Sequence, residues 1–191
     1  MISRNEAYEM LLAQNPEESI LHHSLETEAV MTAVARHLQA DEQLWGITGL
    51  LHDLDFMTTR DDITRHGLVC AGLLQSKLPD DAIVAILAHN SENNGAEAPH
   101  TTMDFALRCC ETVTGIIAAN ALVRPEGMAG MKPKSVIKKM KVRSFAANVN
   151  REIIMECQQI GLELSAFLQL AIDAITPIAS SVGLSGPDSA H

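Results

Sequence analysis

Between residues 17 and 39 the apolar side chains Ile20, Leu21, Leu25, Ala29, Val30, Ala33, Val34 and Leu38 return every three or four positions. That spacing puts them on one stripe of an α-helix and does not fit the two-residue period of a strand. The same habit runs through nearly all of the 191 residues. Ser3 with Glu6 reads as a capping box for a first helix ending near Gln14, and Asn15-Pro16 breaks it. Asp41 stands where it can cap a helix over 42–54, in which Gly46 and Gly49 are three apart. Each glycine costs about 1 kcal/mol relative to alanine, which makes sense if another backbone packs close there. Further helices are expected over 61–76, 80–90, 101–122, 134–142, 146–160 and 163–180, with loops at SENNGAEAPH (91–100) and RPEGMAGMKP (124–133) and a frayed tail SGPDSAH. No alternating pattern exceeds four or five residues. The expected fold is all-α, a compact multi-helix bundle in a single domain over 1–191.

Charge and composition remove several classes of function. The net charge is −10 and aromatics are 3% of the chain. Nucleic-acid binding needs cations for phosphates and rings for bases, so no nucleic-acid partner is expected. One segment breaks the acidic pattern: KPKSVIKKMKVR (132–143) holds six of the fourteen basic residues and no acid. No uninterrupted apolar run reaches the ~18 residues that cross a bilayer, and MISRNEAYEM lacks the apolar stretch of a secretion signal. These features predict no membrane partner and a cytoplasmic location. Cys70, Cys109, Cys110 and Cys157 form no CxxC pair and are expected to be reduced and buried. A homo-oligomer is left open: Met128 and Met131, expected to be exposed in the Gly-rich loop, would serve as an interface or as a mobile cover.

The histidines are the unusual feature. His22, His23, His52, His66 and His89 lie in the first half of the chain, in or beside expected helices, and Asp53 follows His52 directly in GLLHDLDF. A lone buried histidine is more often a hydrogen-bonded core residue than a ligand. Several on different helices, with a carboxylate beside one of them, shift that balance toward a metal such as Zn, Fe, Mn or Ni. No HExxH-type spacing is present to decide the matter. Asp55 lies about 200° around the helix from Asp53 and is expected behind the ligands or at the surface.

Five ordered segments carry a resemblance: HSLETEAVM (23–31), GLLHDLDF (49–56), TRHG (64–67), AILAHN (85–90) and TGIIAANALVRP (114–125). Together they resemble the HD superfamily of metal-dependent phosphohydrolases, and SVIKKMKVRSFAANVNRE (135–152) is similar to the C-terminal part of its small bacterial members. The resemblance implies an HD-domain helical core over 17–125, a C-terminal helical extension over 126–180 packed on it, and a tail over 181–191. It implies His23, His52 and Asp53 as metal ligands, with His22 a rival for the first place that helical phase does not separate. His66 and His89 match the extra histidines of the two-metal subgroup. The family has an Asp ahead of Thr-Gly where this chain has Glu111, so Glu111 is the expected last ligand and Asp104, two turns earlier, the fallback.

The implied cofactor is a divalent metal, one or two ions of Fe, Mn, Mg or Zn. The implied reaction is hydrolysis of a small phosphorylated substrate, a phosphomonoester or nucleotide, by metal-activated water, with Asp53 as the catalytic carboxylate. Arg65, Lys138 and Lys141 are candidates for holding the phosphate; Lys134, Lys138 and Lys141 share a helical face. A di-iron oxygenase of the HD type and a non-catalytic metal-binding signalling module are the alternatives. No GxSxG, P-loop or GxGxxG competes.

Overall fold

The computed structural model describes residues 1–186. The helices, in chain order, are α1 (Arg4–Ala13), α2 (Glu18–Leu38), α3 (Glu42–Leu51), α4 (Phe56–Thr59), α5 (Leu68–Leu74), α6 (Asp80–Ala88), α7 (Ser91–Asn94), α8 (Thr102–Leu122), α9 (Pro133–Met140), α10 (Arg151–Met155) and α11 (Leu164–Ile175). Three 3₁₀ turns join them at Ile63–Arg65, Glu156–Ile160 and Thr176–Ile178. No strand forms among the described residues; one antiparallel bridge pairs Gly127 with Ser185. The all-α expectation holds.

The two 21-residue helices α2 and α8 form the spine, with α3 and α11 packed on α2 and α6, α9 and α10 on α8. Their buried stripes, Val30, Met31 and Val34 on α2 and Ala106, Leu107, Val113, Ile116 and Ile117 on α8, meet in one core. By length and composition alone α8 would cross a membrane, but about two-thirds of its apolar window is buried inside the bundle and Arg108 and Glu111 interrupt it. The Gly49 expectation is met: a Cβ there would stand 2.9 Å from the Thr27 carbonyl oxygen, so α2 and α3 approach backbone to backbone. Ser3 and Glu6 close the capping box of α1, and Asp41 accepts from the Leu44 N–H at the start of α3.

Helix ends differ from the sequence reading in informative ways. The segment 61–76 is not one helix. Asp55 takes the N–H groups of Gly67 and Cys70 at 2.9 Å each, and Gly67 at φ +85° turns the chain so that only 68–74 is α-helical. The helix expected over 146–160 begins only at Arg151, whose guanidinium donates to the carbonyls of Phe145, Ala146 and Val149 and holds that stretch as a turn. Within the loop over 91–100, Ser91–Asn94 forms the short α7. Met128 and Met131 are 1% and 2% exposed, so neither is an open interface nor a cover. The strand-like pairing of Gly127 with Ser185 draws the C-terminal segment over them. Ser185 and Gly186 are therefore docked rather than frayed; residues 187–191 of the expected tail lie outside the described residues.

Candidate metal centre

Helix α3 stops one residue before the His-Asp doublet, and the histidine itself is the reason. In a continuing helix the Gly49 carbonyl would accept from the Asp53 N–H. Instead the His52 ring takes it, with Nδ1 donating at 2.8 Å. Helix α6 ends the same way: His89 Nδ1 donates to the Ile86 carbonyl, again three residues back. A histidine at a helix C-terminus is favourable there in any case. Here it also fixes which nitrogen is left over.

The other two rings are fixed by different means. The Thr114 hydroxyl donates to the Glu111 carbonyl at 2.7 Å and therefore accepts from His23 Nδ1 at 2.9 Å. His66 Nδ1 donates to Asp55 Oδ1 at 2.8 Å. In all four rings the Nδ1 partner assigns the proton to Nδ1 and turns the Nε2 lone pair inward.

Those four lone pairs meet at one carboxylate. Asp53 Oδ1 is 3.3 Å from His52 Nε2, 3.2 Å from His66 Nε2 and 3.5 Å from His89 Nε2; Oδ2 is 3.7 Å from His23 Nε2. The Nε2 atoms of His23 and His52 are 3.2 Å apart, and those of His66 and His89 are 3.0 Å apart. Facing lone pairs repel unless a cation lies between them. The groups sort into two sets of three, His23–His52–Asp53 and Asp53–His66–His89, each with ligand atoms within 4.8 Å of one another. Imidazole nitrogens with one shared carboxylate suit a borderline transition ion or a pair of them.

The electrostatics agree. Burial pushes His52 down to about 3, so that ring is held neutral as a ligand must be. Burial also opposes charge on Asp53, but the surrounding imidazoles hold its carboxyl well below the ordinary range. On the protein's own charges His66 is pushed up to about 10, because Asp53 and Asp55 outweigh its burial. A proton there and a metal ion answer the same excess of negative charge.

A further layer holds the backbone of the ligands. Asn90 and Asn94 both donate to the His66 carbonyl at 3.1 Å. Arg108, 2% exposed, donates to the carbonyls of Ala88 and His89 and pairs with Glu92 and Glu156. Asp55 proves to be fully buried behind His66, not at the surface. Sequence reasoning missed Thr114, Asn94 and Arg108. A basic residue inside the apolar run of α8 was the one signal that pointed at Arg108.

The remaining candidates fall as follows. His22 turns away from the centre, into a groove with Glu18 and Glu26. Asp104 is spent on the cap of α8, accepting from the N–H groups of His100 and Thr101 and from the Thr101 hydroxyl, and so drops out as the fallback ligand. Glu111 belongs to neither set of three. It shares with His23 a cavity of about 270 Å³ lined also by Thr112, Gly115, Asn148, Val149, Asn150 and Ile153. Burial raises its carboxyl above the usual range against the pull of His23 and the Thr112 hydroxyl. Arg65, Lys138 and Lys141 are exposed, and none of them lines that cavity.

Residues 20–136, more than half of the chain, match the family model of the HD domain. The chain therefore belongs to the HD domain family, a superfamily of metal-dependent hydrolases. No curated protein and no solved structure matches it.

Proposed function

We propose that this chain is a metal-dependent phosphohydrolase acting on a small phosphorylated molecule. The observation that carries the reading is the sharing of Asp53 between two three-ligand sets in a chain of this family. His23 and His52 would hold one ion, His66 and His89 the other, with Asp53 between them and Glu111 arriving from α8 as the last ligand. A divalent metal held by these residues would supply an acidified water and positive charge for a phosphoryl group. The chain's own part is to fix the four tautomers, keep Asp53 ionised and seat the substrate in the Glu111 cavity. Asn148 and Thr112 offer that cavity hydrogen-bonding groups, and Val149 and Ile153 a dry wall. With no lysine or arginine in that lining, the ions themselves would bear the phosphate's charge; Arg65, Lys138 and Lys141 would act only from the rim.

The same observation favours one second reading. A cavity without lysine or arginine beside a four-histidine, one-aspartate pair suits di-iron oxygen chemistry on an uncharged substrate. Buried, reduced thiols support a cytoplasmic setting for either. Elemental analysis of the protein as isolated, with hydrolysis of p-nitrophenyl phosphate and a panel of nucleoside and sugar monophosphates, tests the proposal. Turnover lost in Asp53→Ala is the expected result. Metal-replete protein that leaves every phosphoester untouched, but consumes oxygen once reduced with iron, would replace the first reading by the second.

A further inference from the structure

On α2, Glu18, His22 and Glu26 follow at four-residue intervals and share one face, next to the face that carries His23. They border a groove of about 400 Å³ whose other walls are Ala118 and Leu122 of α8 and the turn Val182–Leu184. Glu26 is 4% exposed, yet among the described residues its carboxylate has no hydrogen bond and no ion pair. Its oxygens are not sealed in the core, because the side chain forms part of the groove wall.

An unpartnered carboxyl in that position is costly in either state. Among the described residues it has, when ionised, no cation beside it and, when protonated, no protein acceptor. No lysine or arginine lines the groove, and the imidazole in its wall, His22, faces Glu18 at the mouth, with Nε2 3.8 Å from Oε1, and makes no pair with Glu26. Arg124, just past the end of α8, is turned to the carbonyls of Gly127 and Ala129. The missing partner is therefore a cation from solution. A bare metal ion fits poorly, since Glu18, His22 and Glu26 do not bring three ligand atoms within reach of one another and hard cations require several oxygens. The walls are mostly apolar, and Leu122 is 71% exposed at the edge.

We infer that this groove is a second binding site, for an organic ammonium whose charged head seats on Glu26 and whose alkyl body lies against Leu122, Val182 and Leu184. One charge-assisted hydrogen bond relieves the buried carboxylate, and the apolar body covers Leu122. Burial alone raises the Glu26 carboxyl to about 8, which agrees with a group that waits for a cation. Glu26 lies three residues, about 4.5 Å along the axis, from His23, so occupancy would be felt next to the metal centre.

The test is a titration of the full chain, with its metal as isolated, by n-butylammonium chloride, followed by the methyl NMR signals of labelled leucine and valine. Saturable shifts at Leu122, Val182 and Leu184 are expected, with n-butanol binding at least about tenfold more weakly. Glu26→Gln, which keeps the shape, is expected to lose about tenfold in affinity. Leu122→Ser, at an exposed position where folding is not at stake, is expected to lose a few-fold. Equal binding of butanol and butylammonium, unchanged affinity in Glu26→Gln, or shifts confined to methyl groups around the metal centre would each overturn the assignment.

Discussion

Asp55 is not itself a proposed ligand, yet its conversion to asparagine should weaken half of the metal centre. Its carboxylate accepts three bonds, from His66 Nδ1 at 2.8 Å and from the Gly67 and Cys70 N–H groups at 2.9 Å. An amide of the same shape has one acceptor atom. If that oxygen keeps the two backbone donors, the new NH₂ faces His66 Nδ1. The ring must then move its proton to Nε2, and the lone pair that points at Asp53 is gone. If the amide flips, two backbone N–H groups are left facing another donor, which costs more. The first arrangement gives up one hydrogen bond to a charged group, about 1.5–3 kcal/mol. Loss of a ligand's orienting partner typically weakens metal binding about 10–100-fold, or roughly 1.4–2.7 kcal/mol, so the two figures agree. The expected result for Asp55→Asn is that the Asp53–His66–His89 set loses one to two decades of affinity while His23–His52–Asp53 keeps its own. Competition against a chromophoric chelator at pH 7.5 reads both sites, and thermal unfolding of the chelator-stripped protein separates the effect from lost stability. Two sites of unchanged affinity in Asp55→Asn would refute the argument that the Nδ1 partner sets the His66 tautomer.

Gly49→Ala should destabilise by about 1–3 kcal/mol in urea unfolding, because the new methyl meets the Thr27 carbonyl at 2.9 Å and a backbone atom yields little. Gly72→Ala, with no atom within 4 Å of its Cβ in α5, should instead stabilise by about 0.5–1 kcal/mol. Glu26 binds its proton up to about pH 8 in the folded chain but only to about 4.5 when unfolded. The folded state thus loses stability as pH rises through that window, on the order of a few kcal/mol. Glu26→Gln should flatten the slope between pH 5 and 8, measured as urea midpoints across that range. Arg108→Met strands Glu156 and frees the Ala88 and His89 carbonyls. Because Glu156 and Glu92 are partly exposed and can be solvated, the cost should be less than the roughly 3–5 kcal/mol of breaking a fully buried pair, and the metal set containing His89 should weaken with it, as calorimetry and metal titration would show.

Local physics was enough for much of this molecule. The 3.6-residue period of the apolar residues determined an all-α chain, and Ser3-Glu6, Asn15-Pro16 and Asp41 placed helix ends to within a residue or two. All five convergent side chains, His23, His52, Asp53, His66 and His89, came from the order of motifs, with His22 left as a rival to His23. Two further details were written locally and not read. Thr101 and Asp104 stand in capping-box spacing, which already committed Asp104. GLLHD and AILAHN share an apolar helix ending in histidine, the arrangement in which the ring takes the carbonyl three residues back. What only the tertiary structure decided depends on groups far apart in the chain. His22 and His23 differ by about 100° on one helix, so the rotation of α2 against α3 and α8 chose between them, and the close contact of Gly49 with Thr27 is part of what sets it. Asp55 is buried because Gly67 and Cys70 fold back onto it, and Met128 is buried because Ser185 pairs with Gly127. Periodicity reports which face of a helix is apolar. It does not report what stands opposite that face, and partner, tautomer and exposure all depend on the opposite side.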